Sequence, residues 1–186
     1  YRNLLSIPFF FVMLKYNNIY LRPIEKEDIP KRTKWLNDEE ISSMLVIQYP
    51  VSLISSYYWL NKIQGDESRT DFVICISDNN KAIGVIGLTN ISKFNKNAEM
   101  YIYIGEKDYW GQGYGKIAVN LLLQYAKSVL GLRKIYLYTL DINVKARSLY
   151  SKLGFITEGK LVKHIYKNGE YRDLIIQSIF IWSFNE

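Results

Sequence analysis

NAEMYIYIGEKDYWGQGYGK, residues 97 to 116, joins an alternating apolar segment to a turn that contains three glycines. Apolar residues alternate with Glu99, Tyr101 and Tyr103, which is the period-two pattern of a strand with two different faces. Beyond Lys116 the apolar residues recur at helical spacing, so the glycines precede a helix N-terminus. Such a helix start presents unpaired backbone amides that favour an anion. The residues alone predict a strand, turn and helix, in which the turn either cradles an anion or is a plain turn.

Two better-known phosphate loops fit this spacing poorly. A Walker A loop needs Gly-Lys followed by Ser or Thr, whereas Gly115-Lys116 is followed by Ile117, and Trp110 stands at the earlier glycine position. The dinucleotide fingerprint needs G-x-G-x-x-G after a parallel strand unit, whereas this turn reads G-x-G-x-G. The Walker loop is therefore excluded, and the dinucleotide fingerprint is weak.

The sequence WGQGYG at residues 110–115 resembles the acyl-CoA-binding signature of the GCN5-related N-acetyltransferases (GNAT), Gln/Arg-x-x-Gly-x-Gly/Ala. Trp110 replaces the usual Gln or Arg, a variant familiar in the branch that resembles the ribosomal-protein alanine, spermidine and amino-sugar N-acetyltransferases. A second motif, NVKARSLYSKLGF at residues 143–155, is similar to the family's Asn-x-x-Ala-x-x-Leu-Tyr-x-Lys-x-Gly-Phe segment. The resemblance covers residues 19–184. It implies direct transfer of an acetyl group from acetyl-CoA to a primary amine within a ternary complex, without a metal.

The predicted elements follow the order β-α-α-β-β-β-α-β-α-β-β. We expect a short helix over residues 31–37, a second helical segment over residues 39–64, and a strand hairpin over residues 71–90. Asn168-Gly169 predicts a hairpin between the last two strands. The fold class is therefore α/β, with a GNAT-like mixed, mostly antiparallel central sheet flanked by helices.

The chain of 186 residues is expected to form a single acetyltransferase domain over residues 13–186. Residues 1–12, YRNLLSIPFFFV, contain an apolar run that is too short to cross a bilayer and lacks the features of a secretory signal. We interpret them as a non-native or flexible N-terminal extension, or as a partner-binding arm. No membrane partner is expected.

Composition narrows the remaining functional classes. The formal net charge of +6 at pH 7 favours anionic ligands, although the basic residues form no long run. A single cysteine, Cys75, excludes an internal disulfide and indicates a reducing, cytoplasmic compartment. With His164 as the one histidine, a zinc site of the Cys/His type is nearly excluded.

The family resemblance also implies where acetyl-CoA binds as cosubstrate. The backbone of the central strand is expected to hold the pantetheine arm in the manner of an added strand, and the glycine turn to hold the pyrophosphate. Asn143 is a good helix N-cap on physical grounds, and in relatives the same residue contacts the cofactor. The predicted cofactor-binding residues are Ile102, Tyr103, Ile104, Gln112, Gly113, Gly115, Lys116 and Asn143.

Two residues are predicted to be catalytic. Tyr150 matches the family tyrosine proposed to protonate the leaving thiolate, and a tyrosine keeps its proton at neutral pH; the alternative is a tyrosine that only packs on the sheet. Glu99 is the candidate that accepts the amine proton, directly or through water, and the alternative is an ordinary exposed strand glutamate. Both alternatives remain open at this point.

The acceptor amine is the least determined feature. An amino-sugar or a protein N-terminus, including that of a ribosomal protein, is preferred over a polyamine, because acids in the variable helices are confined mostly to Asp38, Glu39 and Glu40. The alternative function is an acetyl-CoA-binding sensor without turnover, or a ribosome- or RNA-associated module. Relatives often pair through their C-terminal strands, so a homodimer is a further expectation.

Overall fold

The computed structural model describes residues 14–47 and 49–181, so the prediction for residues 1–12 lies outside the described residues. The strands are β1 (Lys15–Tyr16), β2 (Ile19–Pro23), β3 (Thr70–Ile76), β4 (Ala82–Ser92), β5 (Asn97–Ile104), β6 (Lys134–Leu140), β7 (Ile156–Lys167) and β8 (Glu170–Phe180). The helices are α1 (Ile29–Leu36), α2 (Glu39–Ser42), α3 (Leu53–Ile63), α4 (Tyr114–Ser128) and α5 (Val144–Lys152), with 3-10 turns at Lys26–Asp28 and Lys107–Tyr109.

The predicted helical segment over residues 39–64 is two helices, α2 and α3, separated by a loop. The Asp38 carboxylate accepts hydrogen bonds from the amides of Glu40 and Ile41 and so begins α2. Ser52 begins α3 in the same way, because its hydroxyl accepts from the Ser55 amide at 3.0 Å. Each helix therefore has its own N-cap, which a single continuous helix would not need. Strand β1, of two residues, was also not predicted.

The strands form one sheet in the order β1-β2-β3-β4-β5-β6-β8-β7. Strands β5 and β6 pair in parallel, and the other neighbouring pairs are antiparallel. The predicted mixed, mostly antiparallel sheet flanked by helices is therefore confirmed. Within the described residues, no helix is both long and apolar enough to cross a membrane.

Two hydrophobic cores cover the two faces of this sheet. On the face that carries α4 and α5, here called the α4 face, Ala98 and Met100 of β5 pack with Leu122 of α4 in the larger core. On the opposite face, called the α1 face, Trp35 of α1 and Tyr103 of β5 belong to a smaller core that also includes Ile41 of α2. Alternate residues of β5 thus contribute to different cores, as the period-two pattern predicts.

Gly105 determines how closely α1 approaches the end of β5. A Cβ atom at this position would lie 2.1 Å from the Trp35 ring, so any side chain would displace the tryptophan. The Trp35 Nε1 donates to the Glu106 carboxylate at 3.0 Å, which fixes the ring in that position. The smaller core is therefore fastened at the point where β5 leads into the glycine turn.

Candidate functional site

The site is organised around a gap between β5 and β6. These strands pair over three positions only, Asn97 to Glu99 with Lys134 to Tyr136, and then separate. On its other side β5 stays paired with β4 as far as Ile104. Beyond Glu99 one edge of β5 is therefore free of a neighbouring strand.

The register identifies which backbone groups face the gap. The Gly105 amide donates to the Ile83 carbonyl of β4 at 2.8 Å, and backbone groups alternate in direction along a strand. The backbone groups of Tyr103 accordingly point to β4, whereas those of Ile102 and Ile104 point to the gap. Ile102 thus offers a free amide and carbonyl with which an extended ligand can pair as an added strand.

Trp110 closes the far end of this free edge. Its indole Nε1 donates to the Ile104 carbonyl at 2.8 Å, which ties the start of the glycine turn to the end of β5. Sequence analysis noted Trp110 only as a variant of the family motif and assigned it no contact. Its position six residues after Ile104, across a turn, is a signal that could have suggested this closure.

The glycine turn forms the N-terminus of α4. Gly111 and Gly113 adopt φ values of 75° and 84°, in the left-handed region that favours glycine, and Gly113 is the N-cap of α4. The turn is open on its outer side, since a Cβ atom at either glycine would meet no other atom within 4 Å. Among the described residues, no acceptor is found for the amides of residues 114–116. This arrangement fits the pyrophosphate of acetyl-CoA, because the amides and the helix dipole attract an anion.

Three other residues predicted to bind the cofactor lie around this turn. Gly115 is in the first turn of α4, where a Cβ atom would lie 3.7 Å from Leu149 of α5. Lys116 is exposed beside it, so its ammonium group is available to a phosphate. The Gln112 side chain instead donates to the Asp108 carbonyl of its own loop. The Gln112 side-chain nitrogen is therefore already engaged within its own loop.

Tyr150 lies on the α4 face and is 6% exposed. Its ring contacts that of Phe155, with 5.5 Å between the ring centroids. Burial raises the pKa of Tyr150 above the ordinary value for tyrosine, so the hydroxyl stays protonated at neutral pH. This is the protonation state that a general acid needs before the reaction.

Glu99 lies on the α1 face, at the position where the gap opens. Its carboxylate accepts a hydrogen bond from the Asn90 side chain at 2.9 Å, and it forms no ion pair within the part of the chain that the structure describes. Tyr136 of β6 is its neighbour in register. Burial, and then the negative charge of Glu99, raises the pKa of Tyr136. The two predicted catalytic residues thus lie on opposite faces of the sheet, and the gap connects these faces.

A hydrogen-bonded network fixes the aromatic residues next to Glu99. The Tyr101 hydroxyl donates to the Asp71 carboxylate, which also accepts two hydrogen bonds of 2.7 Å from Arg69. A Cβ atom at Gly87 would lie 2.7 Å from the Tyr101 ring, so this glycine allows the ring to cross β4. Tyr101 is therefore turned away from the gap, and sequence analysis did not find this network.

Asn143 has two contacts that join the two sides of the site. Its side-chain oxygen accepts from the Ala146 amide at 3.1 Å and caps α5, as predicted on physical grounds. Its Nδ2 donates to the Met44 carbonyl at 3.4 Å, in the loop between α2 and α3. The cap of α5 therefore contacts the variable region of the chain.

The acids at the start of α2 are already paired. The Lys107 ammonium lies 2.9 Å from the Asp38 carboxylate and 2.8 Å from that of Glu40. These contacts fasten α2 to the segment that leads into the glycine turn. Since Lys107 neutralises part of their charge, these two acids have less left for an acceptor than the sequence suggests.

Other potential reactive groups give no further site. Cys75 is fully buried in β3, and burial raises the pKa of its thiol, which suits a structural thiol and not a reactive one. Among residues 14–47 and 49–181, no cluster of three or more His, Cys, Asp or Glu side chains could hold a metal ion.

Comparison with known proteins agrees with this geometry. The family model of the acetyltransferase (GNAT) domain matches residues 18–156. Spermidine N(1)-acetyltransferase of Escherichia coli (strain K12) is 32% identical over 165 residues, which cover 88% of this chain and 87% of that protein.

Solved structures extend the similarity to three dimensions. Spermidine N-acetyltransferase from Vibrio cholerae in complex with CoA and spermine superposes with a TM-score of 0.83 at 29% identity, covering 88% of this chain and 95% of that one. A dodecameric structure of the Vibrio cholerae enzyme gives a TM-score of 0.77 at 28% identity, covering 88% and 94% of the two chains.

The individual site residues remain predictions, and the backbone of Tyr103 points to β4 and not to the gap. The wider assignment is secure, because the family model matches more than half of the chain and the structural similarity extends over both chains almost completely. The chain belongs to the GNAT acetyltransferase family and is an acetyl-CoA-dependent N-acetyltransferase.

Proposed function

We propose that the acceptor is a polyamine of the spermidine class. Sequence analysis ranked this acceptor below an amino-sugar and a protein N-terminus, because acids are few in the variable helices. The relatives favour it instead, since the E. coli protein is named a spermidine acetyltransferase and the V. cholerae structure contains spermine. Within this chain the supporting observation is the Glu99 carboxylate, which has no cationic partner in the described residues and lies where the gap opens.

The surroundings of Glu99 suit a cationic acceptor. Tyr136 is its neighbour in register, and the rings of Tyr136 and Tyr138 lie edge to face at 5.9 Å on the same side of β6. Aromatic faces attract ammonium groups, so these rings can assist a carboxylate in holding an amine. Asp38 and Glu40 contribute less, because Lys107 is paired with both.

Glu99 would prepare the amine for attack. An alkyl amine has a pKa near 10, by analogy with lysine, and is mostly protonated at neutral pH. It must lose a proton before its lone pair can attack a carbonyl carbon. The Glu99 carboxylate would accept that proton directly or through water, while Asn90 orients the carboxylate.

Tyr150 would act on the opposite side of the sheet. Acetyl-CoA supplies the acetyl group as a thioester. A new N–C bond forms, the C–S bond breaks, and the sulfur departs as a thiolate. The Tyr150 hydroxyl would donate its proton to that thiolate, giving CoA thiol and an N-acetylated amine. Its raised pKa keeps the proton in place until the thiolate forms.

The test is a comparison of acceptors at saturating acetyl-CoA. Thiol release and product mass would be measured with spermidine, spermine, UDP-glucosamine and a peptide with an N-terminal alanine. We expect spermidine to give at least tenfold higher kcat/KM than the sugar or the peptide. A higher value for the sugar or the peptide would reverse the assignment of the acceptor.

The same assay separates turnover from silent binding. If isothermal titration shows binding of acetyl-CoA and no amine releases thiol, the chain acts as a sensor. The Tyr150→Phe variant is the control, because release that depends on the enzyme should fall in this variant while chemical hydrolysis of the thioester should not.

Further expectations accompany this proposal. A cytoplasmic location rests on the single buried cysteine. Self-association remains an expectation that the dodecameric relative makes reasonable. A ribosomal protein also remains an expected partner, and the alanine peptide in the acceptor comparison tests that expectation.

A further inference from the structure

Lys167, the last residue of β7, is buried without a counter-ion. It is 8% exposed, and its ammonium group forms no ion pair in the described part of the chain. Instead it donates to two backbone carbonyls, those of Leu45 at 3.1 Å and Ile47 at 2.7 Å. A buried lysine is costly unless its hydrogen bonds are made. Its presence here therefore indicates a specific contact and not a solvated strand end.

The residue that follows holds the same loop. The Tyr49 hydroxyl donates to the Asn168 side chain at 2.7 Å, and the Tyr49 ring centroid lies 4.8 Å from the Lys167 ammonium. The tip of the β7–β8 hairpin thus contacts residues 45, 47 and 49, which are about 120 positions away in sequence.

The loop is fixed at its ends by two other elements. Asn37, at the end of α1, donates to the Val51 carbonyl and accepts from its amide, both at 2.7 Å. The Met44 carbonyl accepts from Asn143, the cap of α5. Residues 44–47 and 49–51, here called the bridging loop, are therefore held by α1, α5 and the hairpin.

The bridging loop covers part of the α1 face. Its side chains of Leu45, Ile47 and Val51 pack against the smaller core, which contains Tyr103. Glu99 is on this same face, four residues earlier in β5, and Asn143 lies at the start of α5 near the gap. The loop thus lies on the face that carries the predicted base, and through Met44 it contacts the cap of α5.

We propose that Lys167 is a positioning residue that holds the bridging loop as a wall of the acceptor site. Its ammonium group donates hydrogen bonds to two loop carbonyls that would otherwise accept them from water. Without it, these partly buried carbonyls would be left unpaired, or the loop would move outward. The proposal depends on the acetyltransferase activity and on the location of the acceptor side, and not on which amine is the substrate.

The first experiment measures the loop itself. Hydrogen–deuterium exchange would be followed in the wild type, in Lys167→Met, in Lys167→Arg and in Lys163→Met, a control at an exposed lysine of the same strand. We expect at least tenfold faster exchange of bridging-loop amides in Lys167→Met, unchanged exchange in α4, and partial recovery in Lys167→Arg. Unchanged exchange in the bridging loop would overturn the proposal.

The second experiment separates the acceptor side from the cofactor side. In Lys167→Met we expect KM for spermidine to rise at least fivefold, whereas the Kd of acetyl-CoA from isothermal titration stays within twofold of the wild type. An equal loss on both sides would mean general destabilisation and would contradict a positioning role. If the wild type does not acetylate spermidine, the polyamine proposal fails, while the exchange measurement still decides the role of Lys167.

Discussion

The two faces of the sheet differ in how their contacts are distributed along the chain. On the α4 face, the strand, the glycine turn and the helix that are predicted to bind the cofactor are consecutive between residues 97 and 128. On the α1 face, the positions of Tyr101, Trp35 and the bridging loop depend on partners 30, 71 and about 120 residues away. A local motif can therefore identify the first face, whereas the second is assembled by distant contacts.

This difference has a chemical counterpart. The cofactor side relies on backbone amides and a free strand edge, which many sequences can supply if glycine occurs at the required positions. The other side relies on particular side chains, such as Asn37, Tyr49 and Lys167. Changes on the two sides should therefore affect different constants, and four measurements can test that difference.

The largest effect is expected from Gly113→Glu. A side chain at φ 84° is strained. A carboxylate at the N-cap of α4 would also occupy the place of the pyrophosphate and repel its negative charge. Isothermal titration should show at least a hundredfold weaker binding of acetyl-CoA, about 2.7 kcal/mol. Gly131→Glu is the control, since Gly131 also has positive φ but lies beyond the other end of α4. Equal affinity in the two variants would refute the glycine cradle.

Tyr150→Phe should lower kcat by more than tenfold. The change removes the proton donor and keeps the ring that packs against Phe155, so the Kd of acetyl-CoA should change little. The control is Tyr125→Phe, at another buried tyrosine of the larger core. Steady-state kinetics would measure both, and a Tyr150→Phe enzyme with wild-type kcat would exclude the general-acid role.

Glu99→Gln should lower kcat/KM for the acceptor by about tenfold and change how that constant depends on pH, because the amide cannot accept the amine proton. The affinity for acetyl-CoA should not change, since Glu99 lies on the α1 face. Glu158→Gln is a suitable control, at a strand glutamate that pairs with Lys134 at 2.7 Å. A pH profile that Glu99→Gln leaves unaltered would assign the proton transfer to water alone.

The smallest effect concerns the stability contributed by Lys167. Burial lowers its pKa, so the unfolded chain binds the proton more tightly than the folded chain. The free energy of unfolding contributed by Lys167 should therefore increase as the pH rises from the lowered pKa of the folded chain towards 10.5, the ordinary value. The slope should stay below about 1.4 kcal/mol per pH unit.

Urea unfolding of the wild type and of Lys167→Met between pH 7 and pH 10.5 would measure that slope. The difference between their free energies of unfolding isolates Lys167, because the other titrating groups are common to both. A difference that is flat or decreases with pH would show that burial does not lower the pKa of Lys167.

Sequence analysis predicted the fold class and the strand, turn and helix around the glycines, for physical reasons. Alternation in β5 and helical spacing after Lys116 are local patterns that the sheet and α4 reproduce, although α4 begins two residues earlier, at Tyr114. The division of residues 39–64 into two helices was missed, since the N-cap of Ser52 is a weak signal beside a strong aromatic pattern.

The acceptor side could not be predicted in the same way. The pairing of Asp38 and Glu40 with Lys107 joins residues nearly 70 positions apart, and the sequence does not reveal which acids are neutralised. The Tyr101–Asp71 hydrogen bond depends on the lack of a side chain at Gly87 on the strand between them. Such contacts depend on strand order and register, which are known only once the sheet has formed.

The local period of apolar residues and the conformation of glycine were enough to predict the strand, turn and helix that we expect to bind the cofactor. The folded structure was needed to show where β5 and β6 separate, how the bridging loop is held and which charges remain unpaired. These features arise from pairs of groups that are distant in sequence, and their energies depend on burial and geometry that no local pattern specifies.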